Sequence, residues 1–444
     1  MKLRSGIVLF LLISTSLLAQ TFRGTILGTV TDPQGAVVAG ADVTVRNIDT
    51  GLQRSTQTSS DGTYTIPELP IGTYTVTVTQ SGFQKSVTSG LPLQVGAEKR
   101  VDIALKTGMA SDTVNVSAES LPQVETTTDT LGTTFTASEA KNLPLNGRDF
   151  QKMIFLTPGV AGSPDQITDS PGSYGIFSMN GARGRSNNFL LDGTDMNDGY
   201  RNDPAINEAG VFGTPATILP VDAIQETQIA SNFMPEYGRN AGAAINIVTK
   251  SGTNTLHGSA IEYFRNNALD ARNYFNPSSS PKAQFHNNQF GASLGGPIIK
   301  DKTFFYVNYE GQRERVGVVT LASVPTGSAP DGSLAPSDAT NPVIQQLIAH
   351  HPWPAPNLAN NSSFNASVIS PSYNRVDSMI AKIDQNINSR NLLTGRYFFG
   401  DSSQAFPLAL TASGGQLPGF NTFTPTRVQL VSLSHVWTIS GTKV

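Results

Sequence analysis

Gly72-Thr73-Tyr74-Thr75-Val76-Thr77-Val78-Thr79 alternates without a break, and this run sets the fold class. Successive side chains of an extended chain point to opposite faces. Tyr74, Val76 and Val78 therefore share one face and the threonines the other. Shorter runs of the same kind lie on both sides, divided by turn residues. Gly28-Thr29-Val30 leads into Asp32-Pro33-Gln34-Gly35, where proline presets the turn and glycine ends it. Val43 and Val45 precede a turn at 47–51, Asp61-Gly62 is a hairpin signal before Tyr64 and Ile66, and Val101, Ile103 and Leu105 close the pattern. About seven strands in about 85 residues predict a small Ig-like or prealbumin-like β-sandwich over residues 22–106.

Composition extends the β reading to the whole chain. Of 444 residues, 38% are apolar and 14% charged, with 41 Gly and 27 Pro. Both fractions fall below the usual values of about half and about a quarter for a globular protein. Polar and small inward faces would account for the shortfall, and 22 Phe with 11 Tyr are too many for a disordered chain. A net charge of −3 creates no field for nucleic acid. The absence of cysteine excludes disulfides, thiolate metal sites and a thiol nucleophile. There is no G-x-S-x-G or H-E-x-x-H string. The adjacent His350 and His351 share neither a helix nor a strand face, so a hydrolase is not expected, and neither is a cofactor.

Lys2 and Arg4 precede an apolar run from Gly6 to Ala19, the pattern of a secretory signal peptide over residues 1–19. The run is short for a membrane span, which needs roughly 20 residues, and no later segment could form a transmembrane helix. A chain of this kind could cross a membrane only as a closed β-barrel.

Residues 107–124 are rich in Ser, Thr and acids and read as a linker. The β-prone stretch at 112–118 inside it could add to the edge of a partner's sheet or begin the next domain. Residues 125–250 mix helical and strand signals. A short helix is expected after Thr136, and a second with Phe150, Ile154 and Phe155 on its apolar side. An apolar strand should precede Asp192-Gly193, followed by a last helix at 221–226 and a strand at 243–249. From residue 251 the pattern is strand, turn, strand. The final run puts Val431, Leu433, His435, Trp437 and Ile439 on one face, as a membrane barrel strand requires and as a soluble sandwich would also permit. The polar stretches Pro325–Asp338 and Pro352–Asn374 read as long outer loops.

The N-terminal strings G-T-V-T-D-P-Q-G-A-V-V-A-G-A-D-V-T-V and D-G-T-Y-T-I-P-E-L-P-I-G-T-Y-T-V-T-V, followed by S-G-F, resemble the carboxypeptidase regulatory-like domain. None of the five histidines lies inside it, so no peptidase is implied. The related sandwich fold sometimes binds carbohydrate. Sugar-contacting aromatics would be Tyr64, Tyr74 or Phe83, although Tyr64 and Tyr74 continue an apolar face and read equally as core.

Further strings resemble the TonB-dependent outer-membrane receptors, in particular the Oar-like branch with a regulatory-like domain in front. They include L-P-L-N-G-R-D-F (143–150), R-S-N-N-F-L-L-D-G (185–193), V-D-A-I-Q-E (221–226), E-Y-G-R-N-A-G (236–242), N-I-V-T-K-S-G-T-N (246–254) and N-Q-F-G-A-S-L-G-G-P (288–297). The resemblance implies a mixed α/β plug at 125–250 inside an antiparallel transmembrane β-barrel that starts at 251. It implies energising by the TonB protein, outer-membrane lipid around the barrel, and uptake of an unidentified small ligand or oligosaccharide. Asp112, Thr113, Val114 and Val116 become the TonB box candidate. Arg148, Arg183, Arg185 and Arg239, lying among Asp192, Asp195 and Glu236, form a candidate plug charge network that would pair internally or with the barrel wall. The family's barrel has about 22 strands, whereas fewer than 200 residues follow the plug here, so a fragment with an incomplete barrel is expected. The alternative is an exported carbohydrate-binding or adhesion protein acting through the sandwich.

Overall fold

Glycine and Asp-Gly turns cut the N-terminal segment into short strands, each hydrophobic on one side. In the computed structural model these are β1 (Gly24–Thr31), β2 (Asp42–Asn47), β3 (Gln53–Gln57), β4 (Thr63–Leu69), β5 (Gly72–Thr79), β6 (Lys85–Leu93), β7 (Glu98–Arg100), β8 (Ile103–Ala104) and β9 (Thr113–Ser117). The described residues are 23–109, 112–117, 131–145, 148, 150–162, 177–183, 186–197, 199, 202, 204, 206, 217, 219–232, 242–272, 282–358, 364–407 and 421–439. The signal-peptide reading at 1–19 lies outside them.

Two sheets form the sandwich, one ordered β4-β1-β7 with β8 also on β1, the other β3-β2-β5-β6-β9. Tyr74, Val76 and Val78 point inward together and are fully buried, as the alternation requires. The stretch expected to be linker or the start of a new domain is instead the fifth strand of the second sheet. β9 runs parallel to β6, Lys85 opposite Thr113 and Ser89 opposite Ser117.

The central segment contributes β10 (Leu131–Thr136), α1 (Ala137–Asn142), β11 (Val160–Gly162), β12 (Phe177–Met179), β13 (Asn188–Leu191), β14 (Thr194–Asp195), β15 (Ile224–Asn232) and β16 (Ala244–Thr249). Its sheet is ordered β10-β15-β16-β13-β14. Thr136 caps α1 in a reciprocal capping box with Glu139. Two helical expectations are corrected. Residues 150–156 form a 3-10 helix with Phe150, Met153 and Ile154 buried. In V-D-A-I-Q-E only Val221–Ala223 is helical, because from Ile224 the backbone is paired with β16 and from Glu226 also with β10.

The last segment is a meander of six antiparallel strands, β17 (His257–Asn266), β18 (Phe285–Ile299), β19 (Thr303–Ala322), β20 (Ala366–Asn388), β21 (Asn391–Pro407) and β22 (Asn421–Trp437), paired in chain order. Among the described residues β17 and β22 do not pair, so the barrel is open. Part of the expected loop at 352–374 is strand, since β20 begins at Ala366. The second helix, α2 (Pro342–Ala349), lies in the connection between β19 and β20. Short turns at 300–302 and 389–390 lie at one end; the connections 267–284, 323–365 and 408–420 lie at the other. Outer-membrane barrels keep short turns on the periplasmic side and long loops outside, which orients the meander.

Candidate functional site: the junction of three units

Alternation along β19 creates the junction. Phe304, Tyr306, Asn308, Glu310, Gln312 and Glu314 all point inward and are buried, while Val307 and Tyr309 face outward. The inward face is covered by the central unit, whose core cluster takes in Tyr306, Ile380 and Phe398 from the meander. Around that apolar patch the contacts are polar.

Two of the strings singled out in the sequence each supply an aspartate to this contact. Asp192 follows β13 at a tight hairpin where it and Gly193 both adopt left-handed backbone, with φ of 47° and 72°. Its carboxylate accepts the Thr249 backbone N–H at 2.8 Å and the Thr249 hydroxyl at 2.7 Å, both from β16. From the meander, Arg396 Nη1 on β21 approaches to 2.5 Å and Lys382 Nζ on β20 to 3.6 Å. Arg396 also donates to Leu191 O at 2.7 Å, and Lys382 to Thr249 O at 3.2 Å. All three charged side chains are almost wholly buried. Burial pushes the Asp192 pKa up, but the two cations and the Thr249 bonds outweigh it and hold the carboxyl below its ordinary range.

Asp222 forms the second contact. It accepts the hydroxyls of Ser259 on β17 and, at 3.0 Å, Ser293 on β18, and pairs with Lys250 at 3.6 Å. Its backbone carbonyl accepts the Tyr306 hydroxyl at 3.1 Å. Gly252 lets the chain pass between the units, because a Cβ there would stand 2.3 Å from Phe305 O and 2.6 Å from Gly296 O.

The expected charge network is placed differently. Arg148 and Asp192 do not meet: Arg148 lies 4.0 Å over the Tyr263 ring and 3.9 Å from Glu310, both of the meander. Asp195 is exposed and accepts from Asn197 within its own hairpin. Arg183 is exposed, and Arg185, Glu236 and Arg239 lie outside the described residues. The partners that reasoning from sequence missed, Lys382 and Arg396, lie some 200 residues downstream. A lone Lys or Arg at an inward position of a strand otherwise facing a covered wall is the signal that could have marked them.

The sandwich docks at the same junction from the short-turn side. Val95 N donates to Glu226 Oε2 at 2.9 Å, Asn254 N to Asp49 O at 2.9 Å, and Arg54 Nε to Ser389 O at 3.0 Å. A cavity of about 150 Å³ remains where the three units meet, lined in part by Arg23, Asn47, Thr249, Lys382 and Asp384. Tyr64 and Tyr74, offered as sugar contacts, are core side chains with their hydroxyls bonded to Val101 O and Pro70 O. Neither presents a ring to solvent, because each sits on the inward set of its strand. Phe83 is half-buried against the same core.

Glu226 makes this docking sensitive to pH. Burial raises its pKa to about 7 despite the Val95 N–H. The docked state therefore binds a proton that a solvated Glu226 would release, and docking weakens as pH rises from the ordinary glutamate pKa of 4.5 through about 7. A spin-label distance between the sandwich and the 389–390 turn should shift toward the undocked population across that interval. Glu226→Gln should flatten the profile, and an unchanged profile in that variant would assign the effect to another group.

Residues 248–444 match the outer membrane beta barrel domain and residues 25–106 the carboxypeptidase regulatory-like domain. The chain is thus an outer-membrane β-barrel protein with an N-terminal regulatory-like sandwich, and its location is the bacterial outer membrane. It is a homologue of the TonB-dependent transporter Oar of Myxococcus xanthus, 30% identical over 301 residues, which are 64% of this chain and 26% of that protein. A probable TonB-dependent siderophore receptor, PirA, of Acinetobacter baumannii is 26% identical over 205 residues, covering 45% of this chain and 24% of its own length. Among solved structures, the outer membrane transporter YddB from Escherichia coli overlays 70% of this chain and 37% of its own at 15% identity, with a TM-score of 0.46. The chain spans about a quarter of the length of the curated relatives it matches. These relatives are transporters and receptors rather than enzymes.

Proposed function

We propose that this chain is the periplasmic and plug portion, with the first barrel strands, of a receptor that takes up a ligand across the outer membrane using energy delivered by the TonB protein. In this reading residues 125–250 are the plug. The observation that carries it is the Asp192 junction. A unit seated in the concave face of a barrel wall through charged and hydroxyl contacts can rearrange more cheaply than one sealed by an apolar core, once water reaches those contacts. Uptake by the full-length protein should stop when the proton-motive force is collapsed, while binding at the cell surface persists. Uptake that continues without it would overturn the reading.

The TonB contact would be β9, with Asp112, Thr113, Val114 and Val116. One edge of β9 is paired with β6, and it is the last strand of its sheet, so its other edge can accept a strand from a partner. Cysteines at Val114 and Val116 should cross-link to a cysteine-bearing TonB strand. Val114→Pro, which removes a donor and disfavours the ladder, should lower uptake at least about tenfold with the barrel intact. Cross-links confined to 118–130 would move the box out of β9. The adhesion alternative finds no support in the geometry, since the sandwich sits on the short-turn side, away from the cell surface.

A further inference from the structure

Outward-facing positions of the meander divide into two zones along the barrel axis. From the short turns upward the outward side chains are mainly apolar: Ile383 and Ile387 on β20, Val307 and Tyr309 on β19, Leu294 on β18, and Val431, Leu433 and Trp437 on β22, all exposed. Register then places Arg313 opposite Arg375 on the same outward face, with Arg315 opposite Tyr373, His286 opposite Arg315, and Arg427 opposite Asp401. Arg313 lies ten residues beyond Thr303, where β19 begins. At about 3.4 Å per residue and a strand tilt near 40°, that is roughly 25 Å of height, the thickness of the apolar band of such barrels. These arginines therefore sit where the hydrocarbon ends, on the long-loop side.

The cluster is organised and carries excess positive charge. Asp377 takes Arg313 at 2.7 Å and Arg375 at 3.3 Å and accepts the Tyr309 hydroxyl at 2.6 Å; Asp401 takes Arg427 at 2.8 Å. Two carboxylates thus face four guanidinium groups, and Arg315 is exposed with no ion pair among the described residues. Arg375 and Arg427 keep more than half of their side-chain surface open. Between β18, β19 and β20 the outward face holds a groove of about 930 Å³, lined by His286, Arg313, Arg315, Tyr373 and Arg375 among others.

We propose that this groove binds the phosphate-bearing headgroup of a lipid in the outer leaflet of the membrane. Guanidinium groups bind phosphate through paired N–H donors, and the apolar band directly beneath offers acyl chains a surface. A lipid satisfies both zones at once, whereas a soluble anion satisfies only the upper one. The assignment needs only the membrane location of the barrel and not the uptake reading.

Native mass spectrometry of the full-length protein in a nonionic detergent, titrated with diphosphoryl lipid A, tests this directly. Arg315→Gln combined with Arg375→Gln should weaken binding roughly 20-fold, on the scale of two basic residues at an anionic lipid surface. Lysine at both positions should restore most of it. Arg315→Gln alone, which breaks no ion pair, should weaken binding several-fold and keeps the test valid if the double variant fails to fold. Equal binding by parent and variants, equal binding of the fully dephosphorylated lipid, or displacement by inorganic phosphate at matching concentration would each overturn the proposal.

Discussion

Asp192→Asn is expected to destabilise the protein by about 3–5 kcal/mol, because it leaves Arg396 and Lys382 buried without their counter-ion. The amide can still accept the Thr249 N–H, so the loss is electrostatic rather than a cavity. Thermal unfolding of the full-length protein in detergent would register it. The effect has a second, diagnostic half. Replacing all three residues with apolar ones of similar size, Asp192→Leu, Lys382→Met and Arg396→Met, should recover most of the stability, since the desolvation cost of three charges disappears with their attraction. If the triple variant is as unstable as the single one, the geometry of the Thr249 hydrogen bonds matters more than charge. The sign with pH follows from the depressed carboxyl. Its contribution is complete above the unfolded pKa near 3.8 and is lost only as pH falls through the lower folded value. The junction therefore holds throughout the neutral range, unlike the Glu226 contact, which loosens toward pH 7.

Phe189→Ala should cost about as much by a different mechanism, roughly 3–5 kcal/mol. Phe189 is buried in β13, the strand next to β16 in the central sheet. Its ring stacks edge-on against Phe177 at 6.3 Å, and Phe177 in turn against Phe155 at 6.1 Å. Truncation opens a cavity that this aromatic row cannot close without moving β12. Phe189→Leu, which keeps most of the volume, should cost less than half as much. Protease digestion would locate the damage: cleavage should appear within 131–250 while the meander stays protected. Equal protection of both would show that the aromatic row is not a separate core.

Much of the fold was legible because β structure writes itself locally. Alternation of period two and the turn residues around it placed the sandwich, the Asp192-Gly193 hairpin and the outward face of β22 where the structure has them. The errors share one cause. Residues 224–226 satisfy a short helical spacing, yet strand pairing with β10 and β16, distant in sequence, decides their conformation. The segment at 112–118 has ordinary β propensity, and nothing local says that the free edge of β6 will take it up.

The candidate site was legible only in halves. Asp192 and Arg148 lie in strings that the resemblance picks out, and their roles in this chain remain proposals. Their partners were not visible, because the network was sought among charges near one another in the chain. Composition, periodicity and the resemblance by themselves determined that this protein is mainly β, exported, and built as a sandwich, a mixed central unit and the start of an outer-membrane barrel. Only the tertiary structure decided which charges meet. The register of a meander sets the height at which each inward side chain confronts the central unit. It brings Lys382 and Arg396 to Asp192, and Ser259 and Ser293 to Asp222, through pairings that no local pattern encodes.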